Sequence, residues 1–62
     1  MAVSLYTQAA EKGSSEAAYW LATCYRDGKY VDQNLQKALE YFRQAAEARY
    51  KDAAQQVAEL EQ

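Results

Sequence analysis

The sequence repeats itself at a displacement of 36 residues. Shifting the chain by that amount lays Gln8-Ala9-Ala10-Glu11 on Gln44-Ala45-Ala46-Glu47, Ala17-Ala18 on Ala53-Ala54, Ala2 on Ala38 and Ala22 on Ala58. Apolar positions follow the same rule: Leu5-Tyr6 falls on Tyr41-Phe42, and Leu21 on Val57. Eight identities in 26 aligned positions are modest, and alanine is common, so the run of four and the matched apolar residues carry the inference. A period of this length marks a repeat architecture, in which each unit buries its apolar face only against its neighbours.

Apolar spacing makes the repeating unit helical. Leu35, Ala38, Leu39, Phe42, Ala45 and Ala46 fall on one helical face, and the shifted set Ala2, Val3, Tyr6, Ala9 and Ala10 does the same. Ala17, Ala18, Leu21, Cys24, Tyr25 and Gly28 form a third stripe; Ala53, Ala54, Val57 and Leu60 form a fourth. Gly13 suits the left-handed end of a helix, and Ser14 can cap the next one. Asp27-Gly28 ends the second helix, and Asn34 can cap the third. The pattern predicts helices over 2–12, 15–27, 35–48 and 51–61, antiparallel because the links are short.

One junction lacks punctuation. The shift places Arg49-Tyr50 where Gly13-Ser14 stood, and residues 35–61 contain no Gly, Pro or Ser, so local propensity alone permits a single long helix. A turn near Arg49-Tyr50-Lys51 is the expectation. A straight helix would expose both apolar stripes and invite domain swapping.

Composition narrows the chemistry. The chain has 62 residues, one cysteine and no histidine, so neither an intramolecular disulfide nor a Cys/His zinc site can staple it. Stability must come from helix packing, which is marginal at this size. The net charge of −2 arises from seven basic and nine acidic residues that are well mixed, giving no basic stripe for nucleic acid and no polybasic membrane anchor. Apolar stretches fall well short of the ~20 residues that span a bilayer. Met1-Ala2-Val3-Ser4 has neither the basic region nor the apolar core of a secretory signal, and the compartment is left open.

The stretch Ala17 to Arg49 resembles a Sel1-like repeat, a relative of the tetratricopeptide helix pair. Ala17, Tyr19, Leu21, Tyr25-Arg26-Asp27-Gly28, Val31, Lys37-Ala38-Leu39, Tyr41-Phe42 and Ala45-Ala46-Glu47 carry the resemblance. The chain departs from the usual pattern at Ala22, Tyr30 and Arg49, where the family favours glycine, and at Asn34, where it favours aspartate. The resemblance implies an all-α fold: an α/α superhelix (solenoid) fragment of about four antiparallel helices. It divides the chain into 1–13, the second helix of a truncated repeat; 14–49, one complete repeat; and 50–62, the first helix of a further repeat or a carboxy-terminal cap. A chain that opens part-way through a repeat reads as an excerpt of a longer one.

Catalysis has little support. No histidine offers a general base, and Cys24 lies on an apolar stripe without an activating partner. Neither a cofactor nor a metal is expected, and Glu11, Glu16, Glu40, Glu47 and Glu59 read as solvated charge. Binding is better supported. Opposite the Leu21 stripe, Tyr19, Thr23 and Arg26 share a face with Trp20 on its flank, and the resemblance puts first helices on the concave side. Tyr, Trp and Arg are frequent interface anchors. Trp20 could equally pack on a neighbouring helix, and Tyr19 could equally be an exposed ring. The expected function is a non-catalytic protein–protein interaction scaffold that binds a partner peptide or domain through Tyr19, Trp20, Thr23 and Arg26. The alternatives are a regulatory or targeting segment of a larger enzyme, and a fragment that self-associates through an exposed first helix bearing Val3, Leu5 and Tyr6. The counterparts of the candidate residues in the last helix, Gln55, Gln56, Glu59 and Gln62, are all polar, as a solvated cap requires.

Overall fold

The computed structural model describes residues 2–61. Four helices follow one another: α1 (Ala2–Glu11), α2 (Ser15–Asp27), α3 (Leu35–Glu47) and α4 (Ala53–Leu60). Residues 35–61 therefore form two helices. Each helix packs on the next in sequence. Antiparallel neighbours show in the α3–α4 contacts: Arg43 pairs with Glu61, whereas Ala46, one turn further along α3, faces Ala54 near the start of α4.

The same turn closes α1 and α3. The N–H of Gly13 donates to the Ala10 carbonyl and that of Ser14 to Ala9, at 3.0 Å each; 36 residues on, Arg49 donates to Ala46 at 2.9 Å and Tyr50 to Ala45 at 3.0 Å. This is the Schellman pair of bonds, which needs a left-handed residue just beyond the helix. Gly13 supplies it at φ 99° and Arg49 at φ 58°. The turn expected at Arg49-Tyr50-Lys51 thus forms without glycine, and Arg49 takes up the strain. Tyr30, at φ 68°, likewise adopts the left-handed backbone where the family pattern carries glycine.

Capping explains the small differences in helix ends. Ser14 Oγ accepts the Ala17 N–H and Asn34 Oδ1 accepts the Lys37 N–H, so α2 and α3 start where the sequence predicts. Tyr50 has no capping oxygen in its side chain, and Lys51 is left-handed at φ 47°. Helix α4 consequently starts at Ala53 rather than at residue 51, with the backbone carbonyl of Tyr50 accepting the Ala53 N–H.

The molecule measures 31 × 23 × 14 Å, and at 62 residues it has little interior. The core is correspondingly shallow, with Phe42 and Leu21 the largest fully buried side chains and Ala10, Ala17, Ala18, Ala22, Ala38, Ala45 and Ala53 packed around them. Small residues at these positions let the helices approach closely. Apolar-stripe expectations fail at the edges, where Leu35 is 52% exposed and Ala54 is exposed, while Val57 is half-buried and packs against the core. On α1, Leu5 is 67% exposed, but Val3 and Tyr6 are half-buried against the core and do not form the open patch expected for all three.

Candidate functional site

Four side chains of α2, Glu16, Tyr19, Trp20 and Thr23, recur at i, i+3, i+4 and i+7, the spacing of one helical face. They line a surface hollow of about 290 Å³, closed on one side by Tyr6 from α1 and on another by Tyr50 and Lys51 from the α3–α4 link. The hollow thus draws on three segments that only the fold brings together.

Aromatic rings form most of its wall. Tyr6 stacks on Trp20 with ring centres 4.2 Å apart, and Tyr30 stacks on Trp20 at 6.0 Å. Trp20 therefore packs on α1 and also lines the hollow. Tyr19 meets Phe42 and Tyr50 edge-on at 5.4 and 5.5 Å. The ammonium of Lys51 lies 5.7 Å from the centre of the Tyr19 ring and 5.3 Å from that of Tyr50, within the range of a cation–π contact. Tyr19 is half-buried, not a free ring on the surface.

Polar groups fix this wall. Tyr19 donates its hydroxyl proton to Asp52 Oδ1 at 2.5 Å. That bond raises the Tyr19 phenol above its ordinary range, with burial adding to it, and holds the Asp52 carboxyl below the usual carboxylate range. Thr23 donates to the Trp20 carbonyl at 2.7 Å, so its hydroxyl is spent within the helix and its methyl group is left for packing. Arg26 donates through Nε to Asp27 at 3.0 Å and through Nη1 to Gln56 Oε1 at 2.7 Å, with its guanidinium 5.8 Å from the Phe42 ring centre. Of the four candidate residues, Tyr19, Trp20 and Thr23 meet at the hollow, while Arg26 is directed to α4.

Tyr6, Glu16, Tyr50 and Lys51 are the lining residues that sequence reasoning passed over. Glu16 was legible from its spacing with Tyr19, Trp20 and Thr23. The other three carry no local signal, because they reach the hollow through the packing of α1 on α2 and through the turn after α3. Cys24, by contrast, is buried, and burial pushes its thiol up. Among the described residues, no helix is long and apolar enough to cross a membrane.

The family model for the Sel1 repeat matches residues 1–14 and 15–50. The chain belongs to the Sel1 repeat family. Sel1 repeats are helical repeats that generally act as protein-interaction modules, and the family is non-catalytic. The search of curated proteins and the search of solved structures returned no match.

Proposed function

We propose that this Sel1 repeat chain is a non-catalytic scaffold that receives a segment of a partner protein on the α2 face, with one partner side chain seated between Tyr6, Tyr19, Trp20 and Tyr50. Residues 1–13 act as the second helix of one repeat, 14–49 as a complete repeat and 50–62 as the first helix of another or a cap. The aromatic hollow is the observation that carries this reading. Rigid rings offer a large contact area at low entropic cost, and such rings dominate the binding energy of protein interfaces. Tyr19 is held in place by Asp52 and Trp20 by Tyr6, so little ordering is needed on binding. In this reading Arg26 positions α4 rather than touching the partner.

Trp20 is the only tryptophan, so intrinsic fluorescence reports directly on the hollow. Peptides selected from a random library against the wild-type chain should shift Trp20 emission and should lose about tenfold or more in affinity for Thr23→Arg, which fills the hollow from its half-buried lining. Glu40→Ala, on α3 outside the hollow, should bind as wild type. Binders indifferent to Thr23→Arg would remove this face from consideration.

A further inference from the structure

Granted the docking role proposed for the α2 face, the walls of the hollow dictate which side chain fits it. Glu16 lines the hollow and Asp52 is bonded to its Tyr19 wall, against a single ammonium, that of Lys51. Arg26, further along α2, is already neutralised by Asp27. The balance at the hollow is therefore one negative charge. Neither Glu16 nor Lys51 takes part in the ion pairs among the described residues, Arg26–Asp27 and Arg43–Glu61. The ring faces add to this preference, because an aromatic face is the negative side of its quadrupole and attracts cations but not carboxylates. Tyr19 gives its hydroxyl proton to Asp52, which pushes electron density into the ring and strengthens that attraction.

Lys51 marks where a cation goes. Its ammonium stands 5.7 Å from the Tyr19 ring centre and 5.3 Å from that of Tyr50, on the rings and not in an ion pair with Glu16. We propose that the hollow receives an arginine side chain of the partner, and that Lys51 is an internal stand-in which this arginine displaces. A guanidinium is planar, so it can stack on Tyr19 and Tyr50 and donate to the Glu16 carboxylate at once, whereas a compact ammonium meets one demand or the other. Lys51 is exposed, so its side chain can leave the rings for solvent. The volume of about 290 Å³ sits just below the ~300–1,000 Å³ of small-molecule sites, a size suited to one long side chain.

Peptides selected from a random library against the wild-type chain test this, with two variants at exposed positions. Lys51→Gln removes the internal cation, and Glu16→Gln removes the counter-ion. Binders that lose affinity on Thr23→Arg should carry an arginine, and replacing it by glutamine in the peptide should weaken binding about tenfold. The arginine peptides should bind Lys51→Gln about threefold more tightly and Glu16→Gln about tenfold more weakly. The glutamine peptides should not distinguish Glu16→Gln from wild type, since the two changes remove the same contact. Tighter binding to Lys51→Gln is a gain that loss of folding cannot produce. Thr23-dependent binders that lack arginine overturn the inference and leave the docking face standing. So do binders that Lys51→Gln weakens while its helicity stays that of wild type, a result that would assign the hollow to an acidic side chain. Binders indifferent to Thr23→Arg, or no binders at all, remove the docking face and the arginine together.

Discussion

Asp52 stands at the N-cap position of α4, yet its carboxylate makes no capping bond and accepts the hydroxyl of Tyr19 instead. The start of α4 is thereby tied to the middle of α2, the helix that carries the candidate binding face. Both partners titrate, so the tie has a defined pH window. Asp52 has a folded pKa below its ordinary 3.8; its contribution is complete above that value and fades as pH falls through the folded one. Tyr19 has a folded pKa above its ordinary 10.0; its contribution is complete below that value and fades as pH rises through the folded one. Tyr19→Phe should lower stability at neutral pH and flatten both the acid and the alkaline shoulders of a urea-denaturation profile. Shoulders that persist in the variant would assign them to other groups.

Arg49→Gly should stabilise the chain. A left-handed non-glycine residue costs roughly 1–2 kcal/mol, and glycine returns about 0.4–1 kcal/mol of that through the freer unfolded chain. The net gain is ~0.5–1 kcal/mol, several degrees in thermal midpoint for a domain of this length. Gly13→Ala should do the reverse at the equivalent turn. No heavy atom lies within 4 Å of an added Cβ there, so backbone strain at φ 99° acts alone. Equal melting temperatures for wild type and Arg49→Gly would refute the strain assignment.

Phe42→Ala should abolish cooperative folding. The ring is 0% exposed and sits under Tyr19 and the Arg26 guanidinium. Removing a buried phenylalanine costs about 3–5 kcal/mol, comparable to everything a core of this size supplies. Phe42→Leu, at a cost nearer ~1 kcal/mol, should retain a melting transition. Far-UV circular dichroism on heating distinguishes the two.

Cys24 should report unfolding through its reactivity. It is 3% exposed, and burial favours its neutral form. A thiol reagent should therefore label it roughly tenfold or more slowly in buffer than in urea, at a rate set by opening of the helix pair. Equal rates would mean that α2 is not held against its neighbours.

Much of this molecule is legible in its sequence. Helices α2 and α3 start where Ser14 and Asn34 supply side-chain oxygens, and those caps are local chemistry that a sequence displays directly. The Arg49 junction was not legible in the same sense. Only the 36-residue shift argued for a turn there, since an arginine carries no left-handed preference of its own. Likewise Ala54 and Ala18 are the same residue at equivalent positions, one exposed and one at 0% exposure, because α3 covers the second and no helix of the structure covers the first.

The sequence by itself determined the period, the starts of α2 and α3 and most of each helix's apolar face, because helical spacing and caps act within a few residues of themselves. Tertiary structure alone decided that Tyr6, Tyr50 and Lys51 join Tyr19, Trp20 and Thr23 around one hollow, and that Arg26 faces α4 instead. Those side chains come from separate segments, and their meeting depends on how far each helix is rotated and shifted against the next. That is fixed by packing around Phe42 and Leu21, not by any residue's own preference.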